Sequence, residues 1–455
     1  MSNFDSINPT TGAKIKTYQT ESIMKVEAKI ILAHQAFTTW KDTSFKERAS
    51  LLVKVADHLT TERISLASAM TEEMGKRTAE ALAEIDKCAL VCKYYADNAE
   101  TLLSSETVKT EAKNSYISFS PLGVVFAVMP WNFPFWQVFR AAAPAIMAGN
   151  TMLLKHASSV PSCALLIEQI FVKAGAPGGL FQTLLISGTD TKHVIEHPLV
   201  RLISLTGSEE AGSKVASLAG QNIKKAILEL GGSDPFIVMP DADIELAAET
   251  AATARMIVSG QSCIAAKRFI VHHDVVDKFT ELLKSNFESK TIGDPKDAKT
   301  DVGPLSSQST LDTIHDQVER SLKLGAILIT GGKKINMPGF FYPPTILSNV
   351  SPNMPVGSEE TFGPVAAIIS VSSAQEALTI ANNSHFGLGS SVWTKDPHKI
   401  EFFTKNLQAG CVFVNSMVKS DPRLPFGGTK FSGFGRELGS YGIKEFVNIK
   451  TIWIN

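Results

Sequence analysis

Residues 201–230 read RLISLTGSEEAGSKVASLAGQNIKKAILEL, and this stretch decides the fold class. The runs RLISLTG and KAILEL are short and rich in Leu and Ile, which is typical of buried strands. Between them, Gly207, Ser208 and Gly212 lead into a segment that we predict to be helical. A strand, a helix and a second strand in this order indicate a βαβ unit of a parallel sheet with covered faces.

The same alternation continues on both sides of this unit. Upstream, residues 22–103 have apolar residues at helical spacing, and SYISFSP, VVFAVM, TMLLK and QTLLIS are β-rich runs. Downstream of PFIVM, the runs RFIVHH, AILITG, VAAIIS and CVFVN alternate with amphipathic helices. We therefore expect an α/β protein with two similar parallel-sheet halves, joined without a long flexible linker.

Composition favours a small-molecule function. The chain has 455 residues, 20% of them charged, and a formal net charge of -1, so it lacks the basic surface that nucleic acid or an anionic membrane would attract. The N-terminus has no secretory pattern, and the apolar runs are far shorter than the roughly 20 residues of a membrane span. We expect a cytoplasmic protein with no nucleic-acid or membrane partner.

The cysteines do not form a disulfide framework, since there are only five in a chain of this length. Cys88, Cys92, Cys163 and Cys411 lie in helical or strand-like runs and are typical packing residues, and we expect no metal site. Cys263 differs, because it lies in the turn GQSC after an apolar helix. It is either a buried inert thiol or a nucleophile activated by a base or a positive dipole.

A dinucleotide site has only an indirect signature. No G-x-G-x-x-G follows a strand, and the best candidate is LTGSEEAG, where Gly207 and Ser208 open a helix whose first amides face a pyrophosphate. Simple helix capping by Ser208 is the alternative. Glu229 ends the strand-like KAILE before two glycines, so it is either a solvated loop carboxylate or a general base.

Several longer motifs occur in a characteristic order. They are MPWNFPFW from Met129, MLLKHAS from Met152, LTGSEEAG, LELGGSDP from Leu228, GQSC from Gly260, EETFGP from Glu359 and PFGGTKFSGFGREL from Pro425. In order and approximate spacing the chain resembles the aldehyde dehydrogenase family over almost its whole length. The resemblance implies an enzyme that oxidises an aldehyde to a carboxylic acid with NAD or NADP.

The resemblance also implies roles for individual residues. Cys263 corresponds to the nucleophile, Asn132 to the side-chain oxyanion donor and Glu229 to the base that activates water. The positions expected to bind the cofactor are Trp131, Lys155, Ser158, Gly207, Ser208, Glu360 and Phe362. Many NAD-preferring relatives have a Glu at the position of Ser158, so here no carboxylate repels a 2′-phosphate and NADP is permitted.

Within the family, KHA after the strand and GQSCIAAKRF are similar to the shorter bacterial succinate semialdehyde dehydrogenases. Arg140 follows Asn132 by about two helical turns, and we expect it to hold a substrate carboxylate. Arg255, Trp136 and Ser420 are the other expected substrate contacts. An interdomain salt bridge is the alternative for Arg140. Another short-chain or aromatic aldehyde is the alternative substrate, and a non-catalytic binding protein on the same fold is the alternative of another class.

The family fold implies a division of the chain into three parts. Residues 1–108 and 122–231 would form the NAD(P)-binding domain, residues 232–430 the catalytic domain, and residues 109–121 and 431–455 an oligomerisation arm. The arm would contain SYISFSP and the final VNIKTIW, two β-rich segments whose exposed edges favour pairing with another subunit. We expect a homodimer or a homotetramer.

Overall fold

The computed structural model describes residues 3–455, in which helices predominate up to residue 102 and strands and helices are interspersed from residue 114 onward. The strands are β1 (Asn3–Ile7), β2 (Lys14–Gln19), β3 (Glu106–Thr107), β4 (Asn114–Pro121), β5 (Val124–Met129), β6 (Thr151–His156), β7 (Phe181–Thr183), β8 (Val200–Thr206), β9 (Lys225–Glu229), β10 (Pro235–Val238), β11 (Arg268–His272), β12 (Ile327–Thr330), β13 (Thr345–Ser348), β14 (Val365–Val371), β15 (Gly389–Trp393), β16 (Cys411–Val414), β17 (Gly433–Phe434) and β18 (Val447–Ile454).

The α-helices are α1 (Ile23–Trp40), α2 (Phe45–Thr61), α3 (Arg63–Met74), α4 (Thr78–Leu102), α5 (Trp136–Met147), α6 (Pro161–Lys173), α7 (Thr191–Glu196), α8 (Glu209–Gln221), α9 (Ile244–Met256), α10 (His273–Glu288), α11 (Gln308–Lys323), α12 (Pro355–Ser358), α13 (Ala374–Asn382), α14 (Pro397–Asn406) and α15 (Gly439–Lys444). Within residues 3–455, no helix is both long enough and apolar enough to span a bilayer.

The first large sheet has the strand order β17-β9-β8-β5-β6-β7. Strands β5 to β9 are parallel, and only the short β17 runs antiparallel, beside β9. The predicted βαβ unit is confirmed, because α8 connects β8 to its parallel neighbour β9. Apolar clusters cover both faces of this sheet, which is why its strands are apolar along their length.

The second large sheet has the order β12-β13-β14-β11-β10-β15-β16 and is parallel except for β12. Its two faces pack against α9 and α10 on one side and α13 and α14 on the other. The expectation of an α/β fold with two largely parallel sheets is therefore confirmed. The run QTLLIS was predicted as one strand, but only Phe181–Thr183 belongs to the sheet.

A third, antiparallel sheet has the order β18-β4-β3. It pairs the predicted segments SYISFSP and VNIKTIW along their whole length, from Val447 opposite Pro121 to Ile454 opposite Asn114. On β18, Ile449 and Trp453 are 59% and 50% exposed, so this small sheet leaves large apolar side chains uncovered. The domain boundaries given above stay predictions.

Candidate active site

The loop that carries Cys263 begins with an unusual backbone. Helix α9 ends at Met256, and the next turn contains Val258 with φ 51°, Ser259 with φ 54° and Gly260 with φ 81°. A left-handed conformation is rare for residues with side chains, and it is particularly costly for a β-branched valine. The surrounding structure must therefore hold this turn in place.

Three contacts hold the turn. The backbone N–H of Val258 donates to the carboxylate of Glu80 at 2.9 Å, and the hydroxyl of Ser259 donates to the carbonyl of Gly303 at 2.9 Å. Gly260 packs against the backbone of Gly363 so closely that an added Cβ would lie 2.3 Å from it. The approach to Cys263 is thus fixed by contacts from distant parts of the chain.

Arg255 is a further support of the same turn, and the prediction that it binds substrate is wrong. Its side chain is fully buried, and its guanidinium donates to three backbone carbonyls, those of Gly260 at 2.6 Å, Ala266 at 2.9 Å and Thr361 at 3.3 Å. No surface of this arginine is left for a ligand. Its role is to join both ends of the cysteine loop to the segment around Thr361.

We expect Arg255→Met to behave as a structural variant. Three carbonyls would lose a charged donor in a buried place, which should lower the free energy of unfolding by about 3 kcal/mol. Activity should fall by the same factor for an aldehyde with a carboxylate tail and for one without. Denaturant unfolding and a two-substrate assay measure the two effects, and a loss confined to the charged aldehyde would restore the substrate-binding role.

Half of the predicted site residues line one cavity. This cavity has a volume of about 220 Å³ and lies at the carboxyl ends of β5, β8 and β9. Of the positions expected from the sequence, its lining contains Trp131, Asn132, Gly207, Ser208, Cys263, Glu360 and Phe362. The structure therefore brings together segments that are up to about 230 residues apart in the chain.

The thiol of Cys263 is held in a partly buried position at this cavity. Burial raises the pKa of Cys263 to about 12, although Arg140 and Lys267 oppose the shift. The ammonium of Lys267 donates to the carbonyls of Cys263 at 2.7 Å and Ser262 at 3.1 Å, so it also fixes the loop. At neutral pH the thiol is protonated in this structure, and a reaction at sulfur requires a proton acceptor.

Asn132 lies in the turn between β5 and α5. Its side-chain Nδ2 donates to the carbonyl of Gln261 at 3.1 Å, which leaves the second N–H of the amide for another acceptor. Glu84 holds the start of α5, because its carboxylate accepts from the backbone N–H groups of Phe135 and Trp136, each at 2.9 Å. The side-chain amide of Asn132 is thus positioned by its bond to Gln261 on one side and by the fixed start of α5 on the other.

Glu229 lies at the end of β9, directly before the cavity-lining residues Leu230 and Gly231, and is only 2% exposed. Neither carboxylate oxygen has a hydrogen-bond partner among residues 3–455. Burial raises the pKa of Glu229 well above its ordinary range, and the nearby Glu437 adds to the shift. A buried, unpaired carboxyl group with a raised pKa has the properties of a general base.

Arg140 does not present a free guanidinium to the site, which contradicts the sequence-based expectation. Its side chain is 2% exposed and forms an ion pair with Glu437, itself 1% exposed. The same guanidinium lies over the ring of Phe426 and within 3.4 Å of the hydroxyl of Thr206. The alternative reading, a salt bridge, is the one the structure supports, because Glu437 already compensates the charge.

A second cavity of about 940 Å³ adjoins the first one, and Ser208 lines both. Ser208 caps α8 by accepting from the N–H of Ala211, which confirms the predicted cap. Lys155, at the end of β6, also lines the larger cavity, and within residues 3–455 its ammonium has no hydrogen-bond or ion-pair partner. Ser158 is exposed in the following turn and is not part of the lining.

Glu360 lies beside the other residues of the smaller cavity that are expected to bind the cofactor. Its carboxylate accepts from the backbone N–H of Gly232 at 2.9 Å and lies 3.5 Å from the ammonium of Lys267. Phe362 packs edge-to-face against Trp131, with ring centroids 5.7 Å apart. These contacts give one wall of the smaller cavity a fixed shape.

Trp136 and Ser420 converge on a residue that the sequence did not single out. The ammonium of Lys87, on α4, lies 4.2 Å from the centre of the Trp136 ring and donates to the hydroxyl of Ser420 at 2.7 Å. No motif marks Lys87 in the sequence, because it lies within an ordinary amphipathic helix. Only the fold brings α4, α5 and the loop of Ser420 together.

The structure has two adjoining cavities at the carboxyl ends of parallel strands, and a cysteine lies in the wall of one of them. This arrangement is typical of an α/β enzyme that binds a dinucleotide. The chain belongs to the aldehyde dehydrogenase family, whose family model matches residues 1–452. The family that the sequence motifs indicated is therefore confirmed.

Individual relatives match the chain from end to end. It is 51% identical over 449 residues to a probable succinate-semialdehyde dehydrogenase [NADP(+)] of Synechocystis sp., with 99% of each chain covered. It is 48% identical over 452 residues to succinate-semialdehyde dehydrogenase [NADP(+)] 1 of Mycobacterium tuberculosis, again with 99% coverage of both.

Solved structures agree with the fold. A succinic semialdehyde dehydrogenase from Streptococcus pyogenes in complex with NADP+ has a TM-score of 0.97, 38% identity and 99% coverage of both chains. Lactaldehyde dehydrogenase from Escherichia coli has the same TM-score of 0.97 at 31% identity, covering 100% of this chain and 96% of that one. The fold is thus shared by enzymes that act on different aldehydes.

Proposed function

We propose that the protein oxidises succinate semialdehyde to succinate with NADP. The observation that carries the chemistry is that Cys263 and Asn132 line one cavity, with the unpaired carboxyl group of Glu229 buried beside it. The substrate and the cofactor are proposed from full-length relatives at about 50% identity, which are named as NADP-dependent succinate-semialdehyde dehydrogenases. Another short-chain or aromatic aldehyde is the alternative substrate.

The first half-reaction takes place at Cys263. Once the thiol has given its proton to solvent, its sulfur adds to the carbonyl carbon, and the two electrons of the C=O π bond move to oxygen. The free N–H of Asn132 and the backbone N–H of Cys263 donate to this alkoxide where the charge develops. Expulsion of the hydrogen on carbon as hydride leaves a thioester on the sulfur. A nicotinamide, when bound, is the acceptor of that hydride.

The second half-reaction needs a base for water. Glu229 accepts a proton as the water oxygen attacks the thioester carbon, and the C–S bond breaks to release the acid and the thiolate. The raised pKa of Glu229 makes its ionised form a stronger base than an ordinary carboxylate. A proton thus passes from water to a group that is shielded from bulk solvent.

The two cavities fit a dinucleotide. The first amides of α8, which lack intrahelical partners, suit a pyrophosphate beside Ser208. Lys155 is an unpaired cation in the larger cavity, and Lys192 and Lys214 also contribute to its lining. Lys192 and Lys214 pair with Glu196 and Glu210, so Lys155 is the lysine of this lining that remains for the extra phosphate of NADP. Glu360, Phe362 and Trp131 would line the nicotinamide end.

A steady-state panel tests this function. We expect kcat/KM to be highest for succinate semialdehyde among succinate semialdehyde, butanal and benzaldehyde, and higher with NADP than with NAD. The assay follows the absorbance of the reduced cofactor. A preference for butanal or benzaldehyde would overturn the proposed substrate, and a strong preference for NAD would overturn the proposed cofactor.

We further propose that the protein is a cytoplasmic homodimer or homotetramer. The support is the small sheet of β3, β4 and β18, whose Ile449, Trp453 and Ile454 are half-exposed on a single chain. Residues 109–121 and 431–455 would form this arm, residues 1–108 and 122–231 the cofactor domain, and residues 232–430 the catalytic domain.

A further inference from the structure

Lys87 is a cation with neutral partners. Its ammonium donates to the Ser420 hydroxyl at 2.7 Å and lies over the Trp136 ring at 4.2 Å. Within residues 3–455, no carboxylate lies within 4.0 Å of this ammonium. A half-buried lysine without an anionic partner is unusual, because burial of a charge is costly unless an opposite charge compensates it.

Three other cations of this region are already engaged, and Lys419, beside Ser420, is exposed to solvent. Arg140 forms a buried ion pair with Glu437, and Arg255 donates only to backbone carbonyls. Arg423, in the loop after Ser420, pairs with Asp421 at 2.7 Å and is mostly exposed. Lys87 is therefore a partly buried cation of this cluster that still lacks an anion.

Lys87 belongs to the same electrostatic cluster as the thiol. Trp136, whose ring lies beneath the ammonium, and Arg140 are one turn apart on α5, and Arg140 lowers the pKa of both Lys87 and Cys263. Trp136, the ring beneath the ammonium, directly precedes Gln137, which lines the cavity with Cys263. The first turn of α5 thus connects the cation to the wall of the reaction cavity.

We propose that Lys87 binds the carboxylate of the substrate, with Ser420 as a second donor to the same group. This inference rests on the proposed function, because it names the residue that would recognise the charged end of a semialdehyde. The ring of Trp136 would lie against the methylene carbons between the two ends. A carboxylate would supply the anion that the fold does not provide.

The charge state of Lys87 makes this role dependent on pH. Burial lowers the pKa of Lys87 to about 8, and Arg140 lowers it further, whereas Cys88, Glu84 and Asp421 oppose the shift. The ammonium is charged in the free enzyme below pH 8 and is neutralised as the pH rises above it. The preference for a charged aldehyde should therefore weaken at alkaline pH.

The test compares Lys87→Met with Lys87→Arg. Methionine keeps a flexible chain over Trp136 and removes the charge, and arginine restores a charge. The quantity measured is the ratio of kcat/KM for succinate semialdehyde to kcat/KM for butanal, with NADP, at pH 7. We expect this ratio to fall about 10- to 100-fold in Lys87→Met and to recover at least in part in Lys87→Arg. The matched control is Lys93→Met, which removes an exposed lysine from the same helix.

The pH profile of the same ratio gives a second readout that a purely structural role would not change. In the unmodified enzyme the ratio should fall as the pH rises from 7 to 9.5. In Lys87→Arg it should stay level, because a guanidinium keeps its charge over this range. The ionisation of Cys263 and Glu229 changes kcat/KM for both substrates, so its effect cancels in the ratio.

The outcomes separate this inference from the proposed function. If the unmodified enzyme prefers succinate semialdehyde and Lys87→Met keeps that preference, Lys87 is not the carboxylate ligand, and the proposed function stands. If the unmodified enzyme has no such preference, both are overturned. Should Lys87→Met fail to fold, the pH profiles of the unmodified enzyme and Lys87→Arg decide: a level profile in the unmodified enzyme overturns the inference.

Discussion

Cys263→Ala should abolish aldehyde oxidation, with kcat lowered by at least about 10⁴-fold, because within residues 3–455 Cys263 supplies the one thiol in the lining of the cavity. The substitution removes only a sulfur atom from a partly buried position, so the fold should persist. Absorbance of the reduced cofactor measures the rate, and binding of NADP to the variant, followed by calorimetry, checks that the cofactor cavity is intact.

The matched control for this variant is Cys411→Ala. Cys411 is also partly buried, but it begins β16 and does not line the cavity. We expect its removal to change kcat no more than a few-fold. A steady-state rate in Cys263→Ala comparable to that of the unmodified enzyme would exclude the thioester mechanism.

The sequence predicted those helices and strands for which the local pattern and the tertiary environment favour the same secondary structure. β8, α8 and β9 form as expected because apolar strands and a Ser-capped helix are used in a buried parallel sheet. β15, with the sequence GSSVW, was not predicted, although it lies inside the second sheet. Its serines are buried and satisfied by the carbonyls of Cys411 and Ser416, contacts that no local pattern reveals.

The run QTLLIS illustrates the opposite error. Its strand ends at Thr183, although the apolar residues continue through Ile186. The N–H of Leu184 still donates to the carbonyl of Leu154 in β6, but the backbone then leaves the sheet, and the carbonyl of Leu185 accepts from the N–H of Glu21. Apolar composition indicated burial correctly, but burial against the N-terminal segment does not require a strand.

The residues of the site also fall into those that the sequence predicted and those that it did not. That Cys263 and Asn132 line one cavity with Trp131, Gly207, Ser208, Glu360 and Phe362 was predictable, because each lies in a recognisable motif, whereas Ser158 lines neither cavity. The cations were not predictable, since the partner of a buried charge is set by tertiary structure. Arg140 meets Glu437 from the opposite end of the chain, Arg255 meets backbone carbonyls, and Lys87 meets Ser420, 333 residues away. A charged residue beside a motif is therefore weak evidence for ligand binding.

Glu229→Gln should separate the two half-reactions. Glutamine has nearly the size of glutamate but cannot take a proton from water, so hydrolysis of the thioester should slow by about 10²- to 10⁴-fold. Formation of the thioester needs no water, and the first turnover should still release up to one equivalent of reduced cofactor per active site. Stopped-flow absorbance would record this burst followed by a slow steady state.

Two further measurements make the result specific to Glu229. Mass spectrometry of the quenched variant should find the acyl group on the peptide that contains Cys263, because the intermediate accumulates when its hydrolysis is slow. Glu209→Gln removes a carboxylate from the start of α8, where its one side-chain hydrogen bond within residues 3–455 is to His385, and should give no burst. An undiminished steady-state rate in Glu229→Gln would show that another group activates the water. Glu437 would then be the next candidate, because it is the other buried carboxyl group beside Arg140 and burial also raises its pKa.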